Sequence, residues 1–172
     1  MFTNINALLP PTNQNSQAVG IDAAGTIVGF YQPTATTSIG FLDVGGMIST
    51  LDPFGSTFTQ ALGISNTGEI VGVYTDAGGV QHGYTDLGGV FSSFDPLGSM
   101  NTRINGVNDL GQIVGFFTDP NDNVIGFVGT PLAVVPEPGT VGLISAGLVG
   151  MLGAAGRRKR GDLRRGDSLG FE

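Results

Sequence analysis

Apolar and polar positions along residues 1–130 alternate in short segments, which is the pattern of β-strands. Residues 18–22, 26–31, 38–44 and 47–52 are predicted as four consecutive strands. Glycine-containing turns separate the first strand from the second and the third from the fourth, because glycine accepts the positive φ of tight hairpins. No segment before residue 139 has helical periodicity or a capping box. The pattern therefore predicts an all-β body.

The four-strand pattern is an internal repeat with an offset of 43 residues and no insertion. The segment from Gly20 to Phe30 returns at residues 63–73 and 106–116, and each copy contains Ile-Val-Gly before an apolar residue. We predict a repeat domain over residues 1–130, with units at 17–52, 60–95 and 103–128. The third unit stops after its third strand. Residues 2–8 align with a fourth strand, and we expect them to supply the missing one.

Each unit has the size of one β-propeller blade, a four-stranded meander of about 40–45 residues. The repeat also resembles the HAF-type extracellular repeat, through its Gly-Ile-x-x-x-Gly-x-Ile-Val-Gly segments and through His82-Gly83-Tyr84. The other copies have Ile39-Gly40-Phe41 and Ile125-Gly126-Phe127, so the histidine occurs once. The resemblance implies repeats and export, and it implies no activity.

The end of the chain carries a three-part pattern. Val135, Pro136, Glu137 and Pro138 lie in a predicted linker, residues 131–139. Residues 140–156 are uncharged and as a helix would span about 26 Å, so we predict one transmembrane helix. A basic tail over residues 157–172 follows. It opens on the stop-transfer cluster Arg157, Arg158, Lys159 and Arg160, which predicts a cytoplasmic C-terminus.

This three-part tail resembles the PEP-CTERM sorting signal of Gram-negative bacteria. The resemblance implies that exosortase, a membrane-embedded transpeptidase, processes the chain near Pro136–Pro138. It also implies transient anchoring in the inner membrane, followed by release to the cell surface or into the exopolysaccharide matrix of a biofilm. Twelve residues follow Arg160, a longer extension than such signals usually have.

Three units are fewer than the four to eight blades of ordinary propellers. Three explanations are open: a longer array of which this chain is a part, two chains that pair to make six blades, or a threefold β-trefoil or β-prism. We favour the longer array, because no signal-peptide pattern precedes the body although the tail requires export.

Charge and composition narrow the function. Residues 1–139 hold eleven carboxylates and a single cation, Arg103, so nucleic-acid binding is not expected. The chain has no cysteine and one histidine, His82, which we interpret as structural. We expect no metal and no cofactor. The repeated pairs Asp43 with Asp86 and Asp52 with Asp95 are interpreted as turn residues, because a catalytic carboxylate pair is not repeated at equivalent places.

Two functions agree with these observations. The first is a non-enzymatic, exported surface or matrix protein. The alternative is a module that binds carbohydrate, such as an exopolysaccharide, through equivalent shallow pockets. One column of aromatic residues, Tyr31, Tyr74 and Phe117, is a candidate sugar platform, and it equally fits a buried core.

Overall fold

The structure, a computed structural model, describes residues 4–12 and 15–131, and these form antiparallel β-sheets with no α-helix. The prediction of an all-β body is confirmed. The first sheet comprises β1 (Asn15–Ile21), β2 (Ile27–Gln32), β3 (Ile39–Val44) and β4 (Met47–Leu51). The second comprises β5 (Phe58–Ile64), β6 (Glu69–Thr75), β7 (Gln81–Leu87) and β8 (Val90–Phe94). The third comprises β9 (Asn101–Val107), β10 (Ile113–Thr118) and β11 (Val124–Gly129).

Each sheet is a meander in which strands adjacent in sequence are hydrogen-bonded neighbours. The registers repeat with the sequence: Ile21 pairs with Ile27, Ile64 with Ile70, and Val107 with Ile113. The isoleucine that opens Ile-Val-Gly thus occupies the same place in all three sheets. The 43-residue period of the sequence is a period of the backbone.

A β-bulge in the first strand of each sheet explains the glycine of Ile-Val-Gly. The register shifts by one residue after Ala18 in β1, Ala61 in β5 and Ile104 in β9. The shift brings a backbone carbonyl of the first strand over the second. A Cβ on Gly72 would lie 2.0 Å from the Gln60 carbonyl oxygen, and Gly29 and Gly115 meet the same obstacle. Only glycine fits opposite the bulge.

Successive sheets pack through the first strand of the later sheet. β5 lies on β1, β2 and β3, and β9 lies on β5, β6 and β7. Val28 and Leu51 pack with Ala61 at the first junction, and Val71 packs with Ile104 at the second. These side chains are 0–6% exposed, and three of the four buried apolar clusters among the described residues draw on two units.

Turn residues one repeat apart also bond across the junctions. The Ala23 N–H donates to Asn66 Oδ1 over 2.7 Å, and the Asn66 N–H donates to Asp109 Oδ1 over 2.8 Å. The donor unit is always the earlier one. The hairpin turns between the first and second strands therefore form a ladder along the array.

The expected N-terminal strand over residues 2–8 is wrong for the part that the structure describes. Ile5–Ala7 form a 3-10 turn, which Asn4 caps by accepting the Asn6 N–H, and the third sheet keeps three strands. Ile5 and Leu9 pack instead on the first sheet, against Tyr31 and Phe41. The N-terminal segment therefore covers the first sheet as an apolar cap.

The bulge yields a stability prediction. We expect Gly72→Ala to lower the free energy of unfolding by about 1–3 kcal/mol or more, because the added Cβ overlaps the Gln60 carbonyl and cannot be relieved by a side-chain rotation. Gly126→Ala is the matched control, since its nearest neighbour would be 3.9 Å away. Chemical denaturation of both variants measures the difference. Equal stabilities would contradict the role given to the bulge.

Candidate functional site

The single histidine lies in a polar cluster at one end of the second sheet. We define the His82 cluster as Tyr74, Asp76, His82, Ser93 and Asp95. His82 is the second residue of β7, Asp76 directly follows β6, and Asp95 directly follows β8. Because the three strands are antiparallel neighbours, the ends of β6 and β8 meet the start of β7. The meander itself brings these residues together.

Both ring nitrogens of His82 face carboxylates. Nδ1 lies 2.7 Å from Asp95 Oδ2, and Nε2 lies 3.4 Å from Asp76 Oδ2. The Tyr74 ring stacks on the imidazole with a centroid separation of 5.1 Å, and its hydroxyl donates to Ser93 Oγ over 3.2 Å. The His82 side chain is 23% exposed, so water reaches the cluster.

The carboxylates govern the protonation of this imidazole. Partial burial lowers the pKa of His82, but the hydrogen bond and charge of Asp95, followed by those of Asp76, outweigh it and the net shift is upward. The pKa of Asp76 is lowered, first by the Val80 N–H and then by His82. Each ring nitrogen thus has a carboxylate partner, at 2.7 Å and 3.4 Å. The geometry therefore favours the structural interpretation of His82.

The repeated aspartates do not all have one role. Asp43 and Asp86 accept the N–H groups of Gly46 and Gly89 over 2.7 and 2.8 Å, and both act as the predicted turn residues. Asp52 accepts from Ser56, whereas its repeat equivalent Asp95 accepts from His82. The difference arises because the first unit has Ile39 where the second has His82.

The oxygen-rich segment at residues 119–123 is a self-bonded turn. Asp119 Oδ1 accepts the backbone N–H groups of Asn121 and Asn123, and Oδ2 accepts the Asn123 side-chain amide over 2.9 Å. These bonds, first those from Asn123, lower the pKa of Asp119. Both carboxylate oxygens already have partners within the loop. Among the described residues, no group of three or more His, Cys, Asp or Glu side chains is placed to hold a metal ion.

The aromatic column belongs to the core. Tyr31 and Tyr74 are 4% and 7% exposed, and Phe117 is half-buried beside Phe127. Buried rings offer no flat surface to a sugar. The column is therefore not a binding platform.

Two polar grooves lie at the unit junctions instead. The first, of about 240 Å³, has Ser38 and Thr59 in its wall, and the second, of about 340 Å³, has their repeat equivalents Gln81 and Thr102. Hydroxyl side chains are frequent in the first lining, which also includes Ile39 and Leu51, and the second lining includes Asn101 and Phe116. Arg103, the single cation of the body, lies in the second groove.

The sorting residues lie outside the described part of the chain. This applies to the processing motif, the predicted helix over residues 140–156 and the stop-transfer cluster, namely Val135, Pro136, Glu137, Pro138, Arg157, Arg158, Lys159 and Arg160. Within residues 4–12 and 15–131, no helix has the length and apolar character needed to cross a membrane.

Comparison with known families concerns this same tail. The PEP-CTERM protein-sorting motif matches residues 134–160, which include the Pro-Glu-Pro segment and the whole basic cluster. The prediction of a PEP-CTERM sorting signal is confirmed. The motif implies export through a C-terminal anchor and processing by exosortase. No curated protein matches the chain.

Sequence reasoning found His82 but missed its partners. The signal was present: an aspartate directly follows the strand on either side of the histidine's strand, and a meander makes such positions adjacent. Asp76 has a repeat equivalent in Asp119, and Asp95 has one in Asp52, so the repeat pattern does not mark either aspartate as part of a unique site.

The His82 cluster predicts a pH dependence of stability. A raised folded-state pKa means that the stabilisation is fully present below the unfolded pKa, near 6.5, and is lost as pH rises through the folded value. We expect the free energy of unfolding to be lower at pH 8.5 than at pH 6, values on either side of about 6.5. His82→Gln should flatten this slope, and Gln81→Ala, beside it on β7, should keep it. A slope that survives His82→Gln would assign the effect to another group.

Proposed function

We propose that this protein is a non-enzymatic surface or matrix protein. Its repeat body serves as a folded scaffold after exosortase has sorted the chain. The PEP-CTERM match carries the proposal, because it fixes export and processing. The His82 cluster supports it, since both imidazole nitrogens are occupied by carboxylates. The repeated aspartates that hold turns support it as well.

The body is proposed to be propeller-like, with each sheet as a blade of the HAF-type extracellular repeat. In support, strand pairing among the described residues stays within each unit, and each later unit lies on the earlier one through its first strand. A β-trefoil or β-prism would instead share barrel strands or sheets around a threefold axis. Residues 140–156 are proposed to anchor the precursor in the inner membrane, with residues 157–172 in the cytoplasm.

Processing makes a direct prediction. In a host with exosortase, mass spectrometry of the exported form should find a C-terminus before residue 141. Pro136→Ala with Pro138→Ala should leave an uncut precursor in the membrane, because the segment would no longer be held extended for the enzyme. Pro131→Ala is the control, as it lies before the matched residues. An intact tail through Glu172 outside the cell would count against the proposal.

Carbohydrate binding is a second candidate, favoured by the two polar grooves at equivalent junctions. Their linings suit the hydroxyl groups of a polysaccharide, and a spacing of one unit suits a repeating chain. The aromatic column does not support this role, since Tyr31 and Tyr74 are buried, and Phe116 in the second groove is the one aromatic residue of the two linings. The candidate is therefore secondary.

A pull-down on immobilised host exopolysaccharide tests this candidate. Thr57→Ala with Thr118→Ala removes one hydroxyl from each groove, and we expect retention to fall by about tenfold if both grooves bind sugar. Ser49→Ala with Ser92→Ala removes exposed hydroxyls elsewhere on β4 and β8 and should leave retention unchanged. Equal retention of both double variants would reject the grooves as the site.

A further inference from the structure

The two ends of the array present apolar surfaces that its interior buries. The trailing face is the outer side of the third sheet and is defined by Val114, Phe116, Gly126 and Val128. Val114 is 47% exposed and Phe116 is 37% exposed. Their repeat equivalents are 0–6% exposed at the internal junctions: Val28 and Val71 for Val114, and Phe30 and Val73 for Phe116. In the earlier units this same surface receives the first strand of the next unit.

The leading face is the matching surface at the other end. It is defined by Ala18 and Val19, which lie on β1 and are both exposed. Val19 is 42% exposed, whereas its equivalent Leu62 in the second unit is 7% exposed; the third unit has Asn105 at this place. In the second and third units, the equivalents of Ala18 are completely buried against the preceding sheet, namely Ala61 and Ile104. The leading face thus has the surface that an internal junction places against a trailing face.

A column of glycines indicates what the trailing face receives. A Cβ on Gly20 would lie 3.3 Å from the Gly63 Cα, and a Cβ on Gly63 would lie 3.2 Å from the Gly106 Cα. Glycine is needed at each of these places because the next unit's backbone approaches closely. Among residues 4–12 and 15–131, Gly106 has no such neighbour: its Cβ would meet only a Val114 methyl at 3.4 Å, an ordinary contact.

Gly126 shows the same relation. Its equivalents Gly40 and Gly83 face the next unit's first strand, with Thr59 Cγ2 at 3.1 Å and Ile104 Cγ1 at 2.8 Å from the added Cβ. At Gly126 the nearest atom would be 3.9 Å away. Gly106 and Gly126 therefore leave open space that no described residue of this chain fills.

We propose that the trailing face of one molecule receives the leading face of a second copy of this chain, in the geometry of the internal junctions. The occupant is inferred from the junctions themselves, where the same two surfaces already pack twice within one molecule. The Gly106 backbone of one copy then faces Gly20 of the other. Such a head-to-tail contact uses different surfaces on the two molecules, so it closes into a ring or continues as an array.

The turn ladder adds an independent element. Each junction carries a bond from a turn N–H to the side chain one repeat later, as from Ala23 to Asn66. Between copies the corresponding acceptor would be Ala23, which has no side-chain oxygen. Ala23→Asn should supply it and tighten the association of copies about fivefold per junction, the effect of one added hydrogen bond.

The test measures mass in solution for the full chain in detergent, by light scattering after gel filtration over a range of concentrations. Val19→Asp disables the leading face, and Val114→Asp disables the trailing face. Val90→Asp is the matched control, since Val90 is 70% exposed on the second sheet and belongs to neither face. Thermal melting of each variant checks that the fold is kept.

We expect the wild type and Val90→Asp to associate and each face variant alone to be monomeric. An equimolar mixture of Val19→Asp and Val114→Asp should form a one-to-one dimer, because each supplies the face that the other lacks. Gly106→Ala should keep the melting temperature and weaken association at least tenfold, because the added methyl group would project only into the contact between copies.

Three results would overturn the proposal. If the wild type stays monomeric, no second copy binds the trailing face. Association that survives in Val19→Asp alone means that like faces pair, or that residues beyond 131 drive it. A mixture that stays monomeric, with both variants folded, means that the two faces do not meet.

Discussion

The rest of this structure depends on one constraint: sheets that are apolar on both faces need a covering layer on each face. The second sheet meets it fully, with Ile70 buried toward the first sheet and Val71 toward the third. The first sheet is covered by the second on one side and by Ile5 and Leu9 on part of the other. Among the described residues, the third sheet is covered on one side only. Stability of such a fold is a sum over junctions, as in other stacked repeats. The outer surface of the third sheet therefore has the character of a junction and not of an ordinary exterior.

The β-bulge determines how the first two strands of each sheet approach each other. By placing one extra residue in the first strand, it moves the Gln60 carbonyl over Gly72 and turns Leu62 into the space between sheets, where it packs with Phe30 and Val73. The glycine of Ile-Val-Gly therefore marks, in the sequence, the place of a backbone contact. The same contact explains why valine and glycine alternate there, since one side chain must fill the junction and the next must be absent.

The charged residues are distributed along the chain differently from the apolar residues that form the junctions. The described carboxylates mostly hold turns, as Asp22, Asp76 and Asp119 do by accepting N–H groups four residues on. The cations gather in the tail, where the sorting motif needs them. This separation leaves the body acidic and places the cations in the tail that the sorting motif matches. The His82 cluster is the one place in the described body where a titrating cation meets carboxylates, and it joins three strand ends of the second sheet.

The sequence by itself determined the all-β class, the 43-residue period, the turn positions and the sorting tail. Each of these is a local pattern: alternation, glycine in hairpins, and a motif of adjacent residues. Tertiary structure decided which faces meet, that the Asp76 and Asp95 carboxylates flank His82, and that the aromatic column is core. It also decided that Ile5 and Leu9 cap the first sheet and do not add a strand to the third. The physical reason is that alternation fixes only the two sides of a strand. What covers each side depends on residues one whole unit away in the sequence.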